Sequence, residues 1–426
     1  MITEKTVRPG PRSGSVRIPA SKSRAHRLMI LSALSDNPVK LGCSGFSNDI
    51  LATAECLNAL GAGLEPDIES GCISVTPFDT AGPAYSSLPC RDSGSTLRFL
   101  LPLAGALGRS VCFEMEGRLP ERPLAPFDSE LESHGMRLRR EGTRLYCEGQ
   151  LQPGRYTLPG NVSSQYISGL LMSLPLLGGD SELHITGTIE SSDYIRMTED
   201  ALKLANIRFS YDNQIYRIPG SQKFHMPGLT EVEGDWSGAA FFLCLGALSP
   251  EGILVQGVNP DSLQGDKAII DVLKSFGAEV FFREQGISVK NAPLRGITVD
   301  AAGIPDLIPV ISVVAAAAGG TTRIINAGRL RLKESDRLKT TAQLLTDLGV
   351  KVTEGTDSLT IEGCGAINGV LTGGAVNSFD DHRIAMSAAV AAAICREPVI
   401  IGNPECVKKS FADFWEVYDS LSTFLI

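Results

Sequence analysis

Six strongly apolar segments recur along the chain, and each follows a short polar stretch rich in Ser, Asp or Thr. In the first, 18–34, the apolar run from Leu28 to Leu34 follows Ser21-Lys22-Ser23 and is too hydrophobic all round for a surface helix. The pattern predicts buried helices with polar caps on their first turns. The other five predicted bodies are 97–107, 166–177, 239–248, 307–318 and 384–395.

The starts of these segments are evenly spaced. Successive starts lie about 70 residues apart when measured at Ser23, Ser95, Ser164, Ser237, Asp306 and His382. A second series of amphipathic segments ends in Gly or Asn, which tolerate the left-handed conformation that closes a helix. These ends have the same spacing, at Gly61, Gly135, Asn206, Gly277 and Gly349. Both series indicate six copies of a unit with one buried helix, one half-exposed helix and several strands.

The repeats also predict the domains, because 426 residues are too many for one core. Grouped three and three, they give one domain at 20–232 and a discontinuous one made of 1–19 and 233–426. The segments 376–426 and 1–19 together make one repeat length. We therefore expect an N-terminal strand at Val16-Arg17-Ile18 to complete the sixth repeat. Two crossings between the domains favour a hinge.

Composition narrows the class of protein. A net charge of −9 and a pI near 5.3 argue against a nucleic-acid partner. No apolar run approaches the length that spans a membrane, so we expect no membrane partner. The ten cysteines are widely spaced and form no C-x-x-C pair, which favours reduced core thiols. We expect a cytoplasmic protein.

Cations collect at or beside the predicted helix starts of this acidic chain. Helix dipoles and cations together favour small, multiply charged anions, and two phosphates with two carboxylates would match the number of cations. The cations concerned are Lys22, Arg24, Arg27, Arg98, Arg122, the run from Arg329 to Arg337, Arg383, Lys408 and Lys409.

Simpler interpretations stay open at this point. Ser-rich helix starts are usually caps. The stretch from Arg329 to Lys339, with opposite charges three and four apart, is also typical of a solvated helix face. Asp306 fits either an N-cap or a general base. His382 lies between Asp381 and Arg383 at a predicted buried helix start, which favours a site.

Seven ordered motifs between Ile18 and Phe414 resemble those of the 5-enolpyruvylshikimate-3-phosphate synthase family. The resemblance implies an α/β fold (α+β in some schemes): a two-domain inverted α/β barrel of six βαβαββ units, three per domain, with the active site in the cleft between the domains. It also implies a monomer that needs no metal and no organic cofactor. The motifs are Ser21-Lys22-Ser23, Ser93-Gly94-Ser95, Glu121-Arg122-Pro123, Val162-Ser163-Ser164-Gln165, Lys333-Glu334-Ser335-Asp336-Arg337, Asp381-His382-Arg383 and Lys409-Ser410-Phe411.

The same resemblance implies the substrates and the residues that bind them. Phosphoenolpyruvate would be held by Lys22, Gly94, Arg122, Gln165, Arg337, Arg383 and Lys409. Shikimate 3-phosphate would be held by Lys22, Ser23, Arg27, Ser163, Ser164, Gln165, Ser191, Tyr194, Asp306, Arg329 and Lys333.

The implied reaction moves the enolpyruvyl group of phosphoenolpyruvate to the 5-hydroxyl of shikimate 3-phosphate and releases phosphate. Asp306 would take the hydroxyl proton, and Glu334, alone or with Lys22, would exchange a proton with the methylene carbon. Addition gives a tetrahedral ketal, and elimination of phosphate follows. Fixed cations would stabilise the charge throughout.

Four positions depart from the family pattern. Asp92 and Arg329 stand where Asn is usual, and Ser95 and Phe99 replace a common Thr and Pro. Gly94, whose enlargement excludes glyphosate in the family, is retained, so sensitivity to that inhibitor stays open.

Two other functions compete with this one. The enolpyruvyl transferase that acts on UDP-N-acetylglucosamine has a Cys in the loop corresponding to 117–122, and this chain has none there. A non-enzymatic ring of repeats around DNA would need cations along its helix bodies, whereas here the bodies are apolar.

Overall fold

The computed structural model describes residues 3–78, 82–366 and 370–423. The chain divides into two compact units. One is 20–232, and the other combines 1–19 and 233–426. We call the first the central domain and the second the split domain, and each is described by itself.

The elements follow a repeating order. The N-terminal segment contributes β1 (Glu4–Val7) and β2 (Arg12–Arg17) to the split domain. The central domain contains α1 (Lys22–Ala33), β3 (Val39–Gly42), α2 (Asn48–Ala59), β4 (Gly63–Asp67), β5 (Cys72–Thr76), β6 (Tyr85–Arg91), α3 (Gly94–Ala106), β7 (Ser110–Met115), α4 (Phe127–Ser133), β8 (Met136–Glu141), β9 (Arg144–Gly149), β10 (Arg155–Pro159), α5 (Ser164–Ser173), β11 (Ser181–Thr186), α6 (Ser192–Leu204), β12 (Ser210–Asp212), β13 (Ile215–Ile218) and β14 (Leu229–Glu231).

The rest of the split domain repeats this order. It contains α7 (Trp236–Ala247), β15 (Ile253–Gln256), α8 (Ile269–Phe276), β16 (Glu279–Arg283), β17 (Gly286–Lys290), β18 (Thr298–Asp300), α9 (Ile308–Ala317), β19 (Gly319–Ile325), α10 (Arg337–Asp347), β20 (Lys351–Glu354), β21 (Leu359–Cys364), β22 (Gly374–Asn377), α11 (His382–Ala391), β23 (Val399–Gly402), α12 (Phe414–Ser420) and β24 (Ser422–Thr423). Short 3-10 helices lie at Leu119–Glu121, Leu174–Leu176, Gly265–Ala268, Pro305–Leu307, Gly328–Leu332, Ala392–Ile394 and Pro404–Lys409.

Five of the six sheets share one topology. Each has four strands side by side. The first pair of neighbours is parallel, and the next two pairs are antiparallel. The central sheets have the orders β14-β3-β5-β4, β6-β7-β9-β8 and β10-β11-β13-β12. The split domain has β18-β19-β21-β20 and the same arrangement in β2-β15-β17-β16, with β24 added beside β2. The prediction of an α/β fold built from six related units is confirmed.

Two strands pair in a different domain from the helix that follows them. β2 leads into α1 but pairs parallel with β15, with Val16 opposite Val255. β14 leads into α7 but pairs parallel with β3. The expectation for the N-terminal strand is therefore wrong in detail: Val16 and Arg17 belong to the fourth repeat, and Ile18 lies outside the strand. The sixth sheet is completed instead by β1, antiparallel to β23.

The apolar helices form the centre of each domain. Every residue of α7, α9 and α11 is buried, because their sequences offer no polar face. These three pack on one another, as do α1 with α3 and α3 with α5. The amphipathic helices are only partly buried. Five of them end at a residue with positive φ, at Gly61, Gly135, Asn206, Gly277 and Gly349, as predicted.

Candidate active site

The serines at the helix starts of the central domain act as caps. Ser21, Ser93 and Ser163 accept hydrogen bonds from first-turn backbone N–H groups of α1, α3 and α5 at 3.3–3.4 Å. Each cap satisfies one of the donors that a helix start leaves open, and the others stay available to a ligand. The capping interpretation is therefore correct for these three serines, and it does not exclude a site beside them.

Lys22 is held by a carboxylate that the sequence analysis missed. Its Nζ lies 2.8 Å from Oδ2 of Asp49, in the first turn of α2, and both side chains are largely buried. An acidic residue in a first turn normally indicates an interaction with the helix dipole, so the sequence offered no signal for this pair. Asp49 fixes the ammonium at the start of α1.

Arg27 is enclosed by protein groups. Its side chain donates to Thr198 Oγ1 at 2.7 Å and to the backbone oxygens of Ser23 and Tyr194 at 2.6 and 2.8 Å. Burial and the charge of Arg24 lower the pKa of Arg27 to about 9, so it stays protonated at neutral pH. The structure thus brings three predicted ligands together, with Ser23 and Tyr194 contacting Arg27 through their backbones.

The start of α3 brings two arginines against a glycine. A Cβ placed on Gly94 would lie 2.6 Å from Nη1 of Arg98 and 2.9 Å from Nη1 of Arg122. The same Arg98 atom donates to Oε1 of Gln165 at 2.7 Å, and Nε2 of Gln165 donates to Ser95 Oγ at 2.9 Å. Three predicted phosphoenolpyruvate ligands, Gly94, Arg122 and Gln165, are therefore neighbours. Arg98 joins them, although the family resemblance had assigned it no ligand.

A chain of buried hydrogen bonds fixes this helix start. His26 Nδ1 lies 2.7 Å from Thr53 Oγ1, which lies 2.6 Å from Thr96 Oγ1. Thr96 donates to Oγ of the capping Ser93 at 2.8 Å. The chain joins α1, α2 and α3, and Thr53 follows Asp49 by one turn of α2. One helix therefore supports both Lys22 and the Gly94 turn.

The two serine-containing loops of the third repeat lie at the same edge of their sheet. Ser163 and Ser164 follow β10, and Ser191 follows β11, its parallel neighbour. The backbone of Glu190 donates to Gly160 at 3.1 Å and ties the two loops together. Ser164 and Ser191 are buried. Parallel strands end at one edge, which explains why serines far apart in sequence meet.

In the split domain, one guanidinium contacts three carboxylates. Arg337, the first residue of α10, is 1% exposed. Its Nε lies 2.8 Å from Asp381, its Nη1 2.7 Å from Asp306 and its Nη2 2.6 Å from Glu334. Both carboxylates assigned to proton transfer by resemblance are thus held by the same arginine. The donors of Arg337 are directed at protein groups, so binding a substrate anion would require one of these carboxylates to move.

Asp306 does not cap a helix. It lies in the 3-10 turn before α9 without a capping hydrogen bond, and Lys333 Nζ and Arg383 Nη2 lie 3.2 and 3.6 Å from its carboxylate. Burial alone would raise the pKa of Asp306, but Arg383, Lys333 and Arg337 outweigh it and hold that pKa well below its usual range. The geometry argues against the N-cap interpretation, and the general-base interpretation stays a prediction. In this state the carboxylate is ionised and a weak base.

Asp381 links α10 to the start of α11. It accepts from Ser335 Oγ at 2.8 Å and, as the N-cap, from the Arg383 backbone N–H at 3.0 Å. Burial opposes its ionisation, but Arg337 and His382 lower the pKa of Asp381 overall. His382 is buried beside it, 1% exposed. The capping role of Asp381 and its contact with Arg337 explain why the sequence places charged residues at this buried start.

The Arg329–Lys339 stretch is not one solvated helix face. A 3-10 helix covers Gly328–Leu332, and α10 begins at Arg337. Burial lowers the pKa of Lys333, and the charges of Arg337 and half-buried Arg329 act in the same direction. Lys409 ends the 3-10 helix Pro404–Lys409, which packs on α11, and is 5% exposed.

The geometry also bears on ligands outside this set. Within the described ranges, no group of three or more His, Cys, Asp or Glu side chains could hold a metal ion. No helix among residues 3–78, 82–366 and 370–423 is long and apolar enough to cross a membrane. A pocket of about 400 Å³ lies in the third repeat, lined by residues that include Asp180, Arg208 and Arg217. It contains none of the candidate residues.

The chain is similar to known proteins along almost its whole length. A family model described as EPSP synthase (3-phosphoshikimate 1-carboxyvinyltransferase) matches residues 7–418. The 3-phosphoshikimate 1-carboxyvinyltransferase of Clostridium kluyveri is 41% identical over 421 residues, 98% of this chain and 96% of that protein. The one from Clostridium perfringens strain ATCC 13124 is 40% identical over 423 residues, 98% of each.

Solved structures show the same architecture. An EPSP synthase from Acinetobacter baumannii superposes with a TM-score of 0.81 at 26% identity, covering 99% of this chain and 100% of that one. The enolpyruvyl transferase NikO from Streptomyces tendae, at 17% identity, shares the fold with a TM-score of 0.78 and covers 98% and 97%. A family model that spans almost the whole chain, with relatives about 40% identical over its length, establishes that this chain belongs to the EPSP synthase family.

Proposed function

We propose that this chain transfers the enolpyruvyl group of phosphoenolpyruvate to the 5-hydroxyl of shikimate 3-phosphate and releases phosphate, as a 3-phosphoshikimate 1-carboxyvinyltransferase of the shikimate pathway to chorismate and the aromatic amino acids. The observation that carries the proposal is the contact of Arg337 with both Asp306 and Glu334. This contact supports the proposal because the residues proposed as base and acid share one buried cation in a chain of this family.

The proposed chemistry needs two proton transfers. The 5-hydroxyl oxygen attacks C2 of phosphoenolpyruvate while Asp306 accepts its proton, and C3 receives a proton from Glu334, alone or with Lys22. The C2–oxygen bond to phosphate then breaks, C3 returns a proton to the Glu334 carboxylate, and the enol ether forms with release of phosphate. Stabilising the charge that develops at C2 and on phosphate is the main task of the fixed cations.

Anion binding explains how Asp306 becomes a stronger base. Its pKa is low because Arg383, Lys333 and Arg337 surround it. A phosphate or carboxylate that takes up part of the charge of these cations raises the pKa of Asp306. The proposal therefore couples substrate binding to the basicity that the first step needs.

The proposed ligands are those that the family resemblance implies. The central-domain neighbours Gly94, Arg122 and Gln165, with Lys22, support phosphoenolpyruvate binding, and so do Arg383 and Lys409 in the split domain. The surroundings of Arg27, Ser164 and Ser191 support shikimate 3-phosphate binding. We propose that the residues of the two domains bind the same pair of substrates. We further propose a cytoplasmic monomer without nucleic-acid or membrane partners.

A phosphate-release assay tests the function. With phosphoenolpyruvate present, shikimate 3-phosphate should give release, and UDP-N-acetylglucosamine should give none. Release with UDP-N-acetylglucosamine but not with shikimate 3-phosphate would assign the competing transferase activity. If neither acceptor gives phosphate release at enzyme concentrations up to micromolar, both proposed activities are contradicted. The missing Cys in 117–122 favours the first outcome.

A further inference from the structure

A buried tyrosine outside the predicted site residues connects two candidate phosphoenolpyruvate ligands. Tyr166 follows Gln165 in the first turn of α5 and is 2% exposed. Its hydroxyl donates to the backbone oxygen of Pro123 at 2.8 Å, and Pro123 directly follows Arg122. Burial raises the pKa of Tyr166, although the charges of Arg98 and Arg122 oppose the shift, so the hydroxyl keeps its proton and remains a donor. Nothing in the reaction outlined above uses Tyr166.

Tyr166 holds the loop that carries Arg122 at two points. We call residues 116–126, between β7 and α4, the Arg122 loop. Besides the hydrogen bond to Pro123, the ring of Tyr166 stacks on Phe127, the first residue of α4, with ring centres 4.6 Å apart and planes 11° apart. Phe127 is fully buried, and stacked aromatic pairs add to the energy of burial. The backbone is therefore fixed one residue and five residues after Arg122.

Tyr166 also contacts α3, which begins at the Gly94 turn. The guanidinium carbon of Arg98 lies 5.7 Å from the centre of the Tyr166 ring, a distance typical of a cation–π interaction. The same guanidinium donates to Gln165 at 2.7 Å. The two helices approach closely, since a Cβ placed on Gly169 of α5 would lie 2.5 Å from the backbone oxygen of Arg98. The Arg122 loop is thus attached to a closely packed pair of helices.

We propose that Tyr166 is a positioning residue for phosphoenolpyruvate, because its hydroxyl and ring fix the Arg122 loop on α5 and so hold the Arg122 guanidinium at the Gly94 turn. The guanidinium is already there, since a Cβ placed on Gly94 would lie 2.9 Å from Nη1 of Arg122. A cation that is ordered on folding need not be ordered when the anion binds, which favours binding. The inference rests on the proposed function and adds a residue to it.

Tyr166→Phe tests the proposal, because it removes the hydroxyl and keeps the ring. In the phosphate-release assay the KM for phosphoenolpyruvate should rise about fivefold, as expected for the loss of one hydrogen bond. The kcat should stay within about twofold, because the residues proposed for proton transfer do not contact Tyr166. The affinity for shikimate 3-phosphate, measured by calorimetry, should also stay within about twofold. An unchanged KM for phosphoenolpyruvate would overturn the inference.

Tyr156→Phe is the matched control in the same domain. The hydroxyl of Tyr156 also donates to a backbone oxygen, that of Gln152 at 2.5 Å, and the side chain is buried near the start of β10. Both variants should lower the midpoint of thermal unfolding by a similar amount, measured by circular dichroism. Only Tyr166→Phe should raise the KM for phosphoenolpyruvate. An equal rise in both variants would mean a purely structural effect and overturn the inference.

A double variant shows whether Tyr166 acts through Arg122. In an Arg122→Met background no guanidinium remains to be positioned, so adding Tyr166→Phe should change the KM for phosphoenolpyruvate by less than about twofold. A further rise of about fivefold would mean that Tyr166 acts through another group, and it would overturn the inference.

A second variant covers the case in which Tyr166→Phe does not fold. Phe127→Leu removes the stacked ring from the other side of the contact and keeps the Tyr166 hydroxyl. It should raise the KM for phosphoenolpyruvate at least about threefold, again only when Arg122 is present, and an unchanged KM would contradict the proposal. Failure of the proposed function is distinguishable, because the wild type itself would then release no phosphate.

Discussion

Replacing Arg337 with Met should destabilise the split domain strongly. The side chain is 1% exposed, and the substitution leaves Asp381, Asp306 and Glu334 without the guanidinium that contacts them at 2.6–2.8 Å. Removing one partner from a buried ion pair costs about 3–5 kcal/mol, because the remaining charge stays buried. We expect a loss of about 4 kcal/mol in the free energy of unfolding at pH 7.5.

The loss should shrink as the pH falls. In the wild type the pKa values of Asp306 and Asp381 are lowered, so their stabilisation is present above pH 4 and is lost only below the ordinary carboxylate range. Without Arg337, burial and mutual repulsion should raise these pKa values, and protonation then relieves the penalty between pH 7.5 and 5.5. The wild type should change little over this window.

Tryptophan fluorescence during urea unfolding measures this prediction directly. The two tryptophans, Trp236 and Trp415, both belong to the split domain and report on its unfolding. Lys339→Met is the matched control, since it removes a charge from an exposed position on the same helix and should cost less than about 0.5 kcal/mol. A loss below about 1 kcal/mol for Arg337→Met, or an equal loss at both pH values, would refute the electrostatic argument.

Three further predictions concern turnover. Asp306→Ala and Glu334→Ala should each abolish phosphate release while keeping shikimate 3-phosphate affinity within about tenfold by calorimetry; wild-type release from either would remove its proton-transfer role. Thr53→Val breaks the buried hydrogen-bond chain, so it should raise the KM for phosphoenolpyruvate about tenfold, and Thr53→Ser should restore it; equal KM values would contradict the supporting role. Arg122→Met and Lys409→Met should each raise that KM at least tenfold, and an unchanged value in one would exclude its residue from the site.

The fold was largely predictable because each repeat contains a strongly apolar segment at a regular spacing. A regular spacing marks six buried helices, and the Gly or Asn at the end of five amphipathic helices has the expected positive φ. The pairing of β2 with β15 was not predictable. A strand of Arg12–Arg17 carries no signal for which distant strand it will join, and the summed length of 1–19 and 376–426 favoured the wrong repeat.

The candidate ligand residues were easier to predict from the sequence than the groups that support them. The motifs led to Lys22, Gly94 and Arg122, whereas Asp49, which pairs with Lys22, had no signal of its own. Asp49 resembles an ordinary helix-start acid, and its contact with Lys22 depends on tertiary packing that periodicity does not report.

The arrangement in the split domain changes how anion recognition should be understood. The sequence suggests a group of cations that only a bound anion would neutralise. In the structure, however, carboxylates already balance these cations: Lys333, Arg337 and Arg383 contact Asp306, Glu334 and Asp381. Balanced charges lower the cost of burying these cations, since isolated buried cations would be costly. An incoming anion must therefore compete with carboxylates, and it gains only the difference between the two sets of contacts. A simple anion offers little beyond what these carboxylates already provide. A substrate with both phosphate and carboxylate groups would replace several contacts at once, and two of these carboxylates, Asp306 and Glu334, are the ones proposed to carry protons.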